Sequence, residues 1–201
     1  SIPESAWVLS TGAFEKELPA LQLVIGFKQG IPVSIDGEHL DPVTLIEKLE
    51  GIAGQYAIGR GIHVGDTVLG TKGRVAFEAP AAEILLNAHR ELEKLTLSAL
   101  QSRVKDSIAN TYGDFVHEGK QLDPACRDIE ALLVSSQQRV TGEVTLTLRP
   151  GNAFVAGVQS SWSLMAATKG VYGEAAGEWT AQDALGYSRI LSLSGMLQSR
   201  A

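Results

Sequence analysis

Cysteine is almost absent: the chain has one, Cys126. No internal disulfide is possible, and a lone thiol suits a reducing compartment, so the expected location is cytoplasmic. Glu130, Leu133 and Gln137 follow Cys126 at helical spacing, which makes it a small buried position on a half-buried helix. Long hydrophobic runs are missing as well. None approaches the ~18 apolar residues that a bilayer span needs, which argues against a membrane partner. The opening SIPESAW has neither a basic stretch nor an apolar one, so it does not read as a secretory signal. Positive charge is outnumbered, with 17 Lys and Arg against 23 Asp and Glu and a formal net charge of −6. A chain of that sign argues against a general nucleic-acid surface, which would need a basic face.

Several chemical signatures are missing too. There is no GxxxxGK[ST] loop and no GxGxxG opening a helix after a strand, so no independent nucleotide site is visible. There is no HExxH, no CxxC and no serine in a nucleophile-elbow pattern, so no metal and no catalytic residue are expected in this chain. The four histidines, His39, His63, His89 and His117, are scattered, and the two on helices read as surface or capping residues. Glu91 and Glu93 read as a solvated helix face.

What is present is 201 residues, 44% of them hydrophobic, enough to bury a core. Residues 1–20 are mixed and punctuated by Pro3 and Pro19, like a connection arriving from something upstream, with Trp7 and Phe14 tacking it to a surface. Leu21, Leu23, Ile25 and Phe27 alternate as a half-buried strand does, Lys28-Gln29-Gly30 turns, and Val33 and Ile35 return, which predicts a hairpin. Asp41-Pro42 is an N-cap followed by proline at the first helical position, and a helix is expected over 41–56. Three more helices follow, striped by Leu85, Ala88, Leu92 and Leu95, then by Leu97, Leu100, Val104, Ile108, Tyr112 and Phe115, then capped by Asp123-Pro124 and running to Gln137. Residues 142–149 alternate with Val144, Leu146 and Leu148 inward and Thr145 and Thr147 outward. Pro150-Gly151 turns, and Phe154, Ala156 and Val158 return as a second hairpin. Thr180-Ala-Gln-Asp183 opens a last helix with Gly186, Ile190, Leu193 and Leu197 on one face. Its glycines and serines make it poor in isolation, so it needs packing on its own domain or on a partner. The sum is α+β: antiparallel hairpin-based sheets with a run of helices and an extended C-terminal helical tail. The expected divisions are a connecting segment over 1–20, the α+β domain over 21–179 and an oligomerisation tail over 180–201.

One segment looks built for a ligand. Residues 59–80 read GRGIHVGDTVLGTKGRVAFEAP, and two short strands are expected near 67–69 and 75–77, joined by a glycine-rich turn. Lys72 and Arg74 lie two apart, so on a strand they share a face that could bind a carboxylate or phosphate. The same pair also serves as a basic strand edge that discourages aggregation.

This segment and its neighbours resemble the carboxy-terminal domain of argininosuccinate synthase, in a bacterial branch of that family. The blocks VIGFKQGIPVSIDGE, IAGQYAIGRG, ILLNAHRELEKLTL, HEGKQLDPACRDIEALL and RVTGEVTLTLRPGNAFVAG fit in order, and the likeness is strongest over 21–163. The resemblance implies a ligase that joins citrulline and aspartate. The ureido oxygen of citrulline attacks the α-phosphate of ATP, and the aspartate amine then displaces AMP. ATP with Mg would be held by an amino-terminal domain of the same chain, and none is expected in the residues given. A homotetramer is implied, with the terminal helix reaching a neighbouring subunit. The citrulline side would fall on Ser1, Ser10, Gly65, Asp66, Lys72, Arg74 and Phe77. Two of these depart from the family pattern, Gly65 standing where a glutamate is usual and Phe77 where a tyrosine is usual. Asp66 is expected to take over the missing charge. A non-catalytic oligomerisation domain and a stand-alone amino-acid-binding module are the competing readings.

Overall fold

The computed structural model describes residues 2–67, 69–168 and 179–200. They form two compact units, Ser1–Ser163 and Leu164–Ala201.

The first unit begins with two short 3-10 turns, Glu4–Ala6 and Ala13–Glu15. It continues through β1 (Leu21–Lys28), β2 (Ile31–Ile35), β3 (Glu38–His39), α1 (Pro42–Gln55), β4 (Arg60–Asp66), β5 (Lys72–Glu78), α2 (Pro80–Thr96), α3 (Ala99–His117), α4 (Pro124–Gln137), β6 (Gly142–Arg149) and β7 (Asn152–Gln159). The fold is α+β with antiparallel sheets, as the alternation and helical stripes predict. The two expected hairpins do not stay separate. β1 pairs along its length with β6, Ile25 opposite Val144 and Leu23 opposite Leu146, giving one five-stranded sheet in the order β3-β2-β1-β6-β7. The glycine-rich arm, β4 and β5, is a second sheet of two strands.

One face of the large sheet carries Leu23, Ile25, Phe27, Ile35, Val144, Leu146 and Leu148, all buried. They meet Leu45, Leu49 and Ala53 of α1 and Ile84, Ala88 and Leu92 of α2. The other face keeps Gln22, Thr145 and Thr147 away from this core, the period-two pattern of a sheet covered on one side. The helix starts are where the sequence puts them. The Asp41 carboxylate accepts from the N–H of Val43 and Thr44, at 3.1 and 3.2 Å. Asp123 accepts from Ala125, and Ser98 forms a reciprocal capping box with Gln101.

Two expectations are corrected. Residue 67 is no strand: the strands of the arm run further on the near side and stop at Asp66. Thr67 closes the turn instead, accepting from Gly70 at 2.9 Å and donating to the Thr71 carbonyl at 2.8 Å, with Gly70 in the left-handed region at φ +75°. The stripe of α3 is covered only in part, with Ile108, Tyr112 and Phe115 half-buried. No residue of α3 is buried, and Leu100 and Val104 are exposed. α3 packs mainly on α4 and touches α2 only lightly, so the pair forms a flap with little core of its own. Its enclosed positions are Leu97, just before α3, and Cys126 on α4, whose Sγ lies 3.4 Å from the Lys120 carbonyl oxygen.

The second unit holds α5 (Leu164–Ala167) and α6 (Ala181–Gln198). The Thr180 hydroxyl and Asp183 carboxylate cap α6 reciprocally, as its opening sequence predicts. Ile190, Leu193 and Leu197 are exposed, and so are Leu185, Tyr187, Leu191 and Met196. The apolar residues therefore spread well beyond the single face expected, and a helix apolar on several sides is one that packs against something.

Leu146 sits at the centre of the β1–β6 seam with no exposed surface. Leu146→Ala is expected to cost about 2–5 kcal/mol through lost transfer and a residual cavity, read as a lowered thermal midpoint with the helical circular dichroism retained at low temperature.

Candidate functional site

The arm is built from its register. Arg60 faces Glu78, Ile62 faces Ala76, Val64 faces Arg74 and Asp66 faces Lys72; between them Gly61 faces Phe77, His63 faces Val75 and Gly65 faces Gly73. Side chains alternate between the two faces of a strand. One face of the arm therefore carries Arg60, Asp66, Lys72, Arg74 and Glu78, and the other carries His63, Gly65, Val75 and Phe77. Lys72 and Arg74 share a face, as their spacing predicts. Gly65 and Phe77 also share one, but it is the opposite one. The structure does not bring Asp66 together with Gly65 and Phe77. The Asp66 carboxylate turns instead to Lys72, whose Nζ lies 2.6 Å away in an exposed pair.

The glycines on the second face have steric reasons. A Cβ on Gly61 would come 2.3 Å from the Phe77 ring, so the ring lies flat across the backbone there. A Cβ on Gly65 would meet Nε2 of His63 at 2.5 Å. At the base of the arm Gly59 has φ +83° and no room for a side chain, because the Ala79 backbone would stand 2.5 Å from its Cβ.

A dense polar cluster lies at that base, where the arm meets the leading segment. One carboxylate oxygen of Glu78 accepts from the N–H of Val8 and Leu9, at 2.6 and 2.9 Å. The other accepts from the N–H of Ser10 at 3.0 Å and from the Ser10 hydroxyl at 2.5 Å. Across the register, Arg60 donates Nε–H to the Ser10 Oγ at 2.6 Å and an Nη2 proton to the Ser10 carbonyl at 2.6 Å. Its remaining donors form a two-pronged pair with Glu4, at 2.9 and 2.7 Å. The guanidinium lies 5.0 Å from the ring centre of Trp7 and 5.0 Å from that of Phe14. The two aromatic residues expected to tack down the leading segment thus do so by flanking one arginine. Burial pushes the Glu78 carboxyl up, but the Ser10 hydroxyl and the N–H groups of Leu9, Val8 and Ser10 outweigh it and hold it below the usual carboxylate range. The Arg60 guanidinium lowers Glu4 in the same sense.

Of the predicted site residues, Ser10 is tied into the clamp and Asp66 pairs with Lys72; Ser1 lies outside the described residues. Arg60, Glu78 and Glu4 are additions. For Arg60 and Glu78 the signal was faint: one charge on each strand at the base of the arm, visible only once β4 and β5 are extended to full length. Among the histidines, His89 is half-buried on α2, with Nε2 2.9 Å from the Gln137 amide oxygen and Nδ1 3.8 Å from Glu93. Burial lowers its pKa despite that carboxylate. Its setting is a helix-packing one, away from the arm.

The architecture defines an α+β domain that projects a two-stranded arm and clamps a leading segment against the base of that arm. Comparison with known sequences says which one. The profile of the family described as "Arginosuccinate synthase C-terminal domain" matches residues 2–198. The chain is 38% identical to the argininosuccinate synthase of Xanthomonas campestris pv. campestris, over 98% of the chain and 47% of that relative. It is 42% identical to that of a Synechocystis species, over 74% of the chain and 37% of the relative. The chain belongs to the argininosuccinate synthase C-terminal domain family, and it spans about half the length of the relatives it matches.

The clamp carries a pH signature. Because Glu78 is depressed when folded, its contribution is complete above the ordinary carboxylate pKa and fades as pH falls through the folded value. Glu78→Gln is expected to destabilise the chain at neutral pH by about 0.5–1.5 kcal/mol, the net worth of hydrogen bonds at partly exposed donors. The gap in melting temperature between the variant and the parent should narrow as pH falls below about 4.

Proposed function

We propose that this chain is the citrulline-side and assembly domain of an argininosuccinate synthase, a cytoplasmic ligase that joins citrulline to aspartate while ATP is cleaved to AMP and pyrophosphate. The observation that carries this reading is family membership across residues 2–198, with the arm and its clamped serine inside the matched span. ATP and Mg belong, on this reading, to the part of the relatives' length that the chain does not span. No group of three or more His, Cys, Asp or Glu converges among the described residues as a metal site requires. No helix among them is long and apolar enough to cross a membrane.

The arm's two faces then divide the work. Ser10, wired to Arg60 and Glu78, together with Lys72 and Arg74 offers the polar contacts. Phe77 and Val75 offer an apolar wall, with Gly65 giving the backbone close approach and His63 as the one titratable group on that face. Ser1 completes the citrulline side on the strength of the resemblance, and Asp66 acts through Lys72. Residues 180–201 serve assembly: the exposed apolar residues of α6 find cover on a neighbouring subunit of a homotetramer.

The activity is tested in the full-length protein by pyrophosphate release with citrulline, aspartate and ATP. Release that requires both amino acids is expected; release with neither, or none at all, would count against the synthase reading. The assembly role is tested by light scattering on the full-length protein with and without residues 180–201. A tetramer that falls to a smaller species is expected, and an unchanged mass would remove the tail from the interface.

A further inference from the structure

The α3–α4 flap is anchored in the core at its two ends. Leu97 before α3 and Val140 after α4 are buried, and of residues 98–139, all described, Cys126 alone is buried. Between those ends the flap is tied to α2 by polar groups. Glu93 of α2 is 8% exposed. Lys105 of α3 brings its Nζ to 2.6 and 2.7 Å from the two Glu93 carboxylate oxygens. The Gln137 amide of α4 donates to the same carboxylate at 2.7 Å. The other side of that amide meets His89 of α2, with 2.9 Å between Oε1 and the imidazole Nε2.

The chemistry of this ring of contacts fixes the imidazole tautomer. A carboxylate only accepts, so the Gln137 nitrogen faces Glu93 and its oxygen faces His89. The proton of neutral His89 is therefore on Nε2, and Nδ1 carries a lone pair 3.8 Å from Glu93. Nδ1 is the atom that takes the next proton. The charged groups bearing on it are Glu93 from its own helix and Lys105 from α3. α4 presents the neutral Gln137 amide, and β1 the Phe27 ring, 5.7 Å away between centroids. A proton at Nδ1 draws Glu93 into a pair one turn along α2 and sets a like charge against Lys105. Two cations then share one carboxylate. Burial lowers the proton affinity of His89, and Lys105 adds to that, against Glu93 and Gln137. A closed flap thus binds this proton less well than an open one. Closure is complete above the ordinary histidine value of about 6.5 and weakens as pH falls below it.

We propose that Glu93 and Lys105 latch the α3–α4 flap onto α2 and that His89 is the release: a proton taken at Nδ1 turns Glu93 back to its own helix and frees Lys105, and the flap with it, to swing about its buried ends. The device stands on the flap alone and holds whatever reaction the full-length protein carries out.

The test is amide hydrogen exchange on the full-length protein at about pH 7.5 and about pH 5.5, on either side of the ordinary histidine value. Rates are corrected for the intrinsic effect of pH and read on peptides from α3 and α4, with α1 as the reference. In the parent, α3 and α4 are expected to lose protection several-fold on acidification while α1 keeps its own. His89→Gln, which cannot take the proton, should hold flap protection at both pH values. Lys105→Met should lower flap protection about tenfold at both, the size of a hydrogen bond to a charged group, and spare α1. Glu93→Gln should do the same; if it does not fold, His89→Gln and Lys105→Met decide. Equal corrected protection of the parent flap at the two pH values would overturn the proposal. So would a His89→Gln protein that keeps the acid response, or a Lys105→Met loss that extends equally to α1.

Discussion

The pairing of β1 with β6 is the constraint on which the rest of the first unit depends. Each strand belongs to a local hairpin, and a hairpin alone is marginal in water. Joined, they present Leu23, Ile25 and Phe27 beside Val144, Leu146 and Leu148 on one surface wide enough for two helices to cover. The intervening chain, from β2 to α4, must close a long loop before that seam rewards it. The seam also fixes where α1 ends and α2 begins, because both helices lie on the surface it creates. The arm is the segment between those two helices, so its base is held by the main core even though its own residues bury little.

That placement accounts for the density of polar contacts at the base of the arm. A two-stranded ribbon with Ile62, Val64, Val75 and Phe77 exposed has no hydrophobic layer of its own to set its direction. Close backbone approach at Gly59, the Arg60–Glu78 register pair and the three N–H groups gathered by Glu78 supply direction instead. They act where the ribbon leaves the core, so small changes there are carried out to Lys72 at its far end. The leading segment is ordered by the same groups. One network thus fixes two elements that share little sequence proximity.

Much of this is legible in the sequence alone. The α+β class, both hairpins and the caps Asp41, Asp123 and Thr180 follow from alternation and from side chains that satisfy free N–H groups. Those signals are local, and local signals survive into the fold. The β1–β6 pairing was not legible, because nothing in either strand names its partner. The α3 stripe misled because Leu100 and Val104 have helical spacing, and spacing reports which residues share a face, not whether that face is covered. The same distinction governs the site. Lys72 and Arg74 share one face, since a spacing of two is itself the rule. Asp66 was expected to replace its neighbour Gly65, yet adjacent residues on a strand point apart. Arg60 and Glu78 lie far apart in sequence and became a pair only through register.

The exposed surfaces of the two units follow one logic. The arm and the α3–α4 flap display large apolar side chains outside the core built by β1 and β6, and α6, in the second unit, displays its own. Scattered single residues of this kind are ordinary, but contiguous sets on three elements are not. Local capping explains why these elements are formed at all: Ser98 with Gln101, Asp123 with Ala125, and Thr180 with Asp183 satisfy their helix starts without help from outside. Caps start a helix; they do not cover its side chains. The chain spans about half the length of the relatives it matches, and its helices are capped and its arm clamped by its own residues. Any association that covers such faces orders less backbone, because the elements that carry them are already formed.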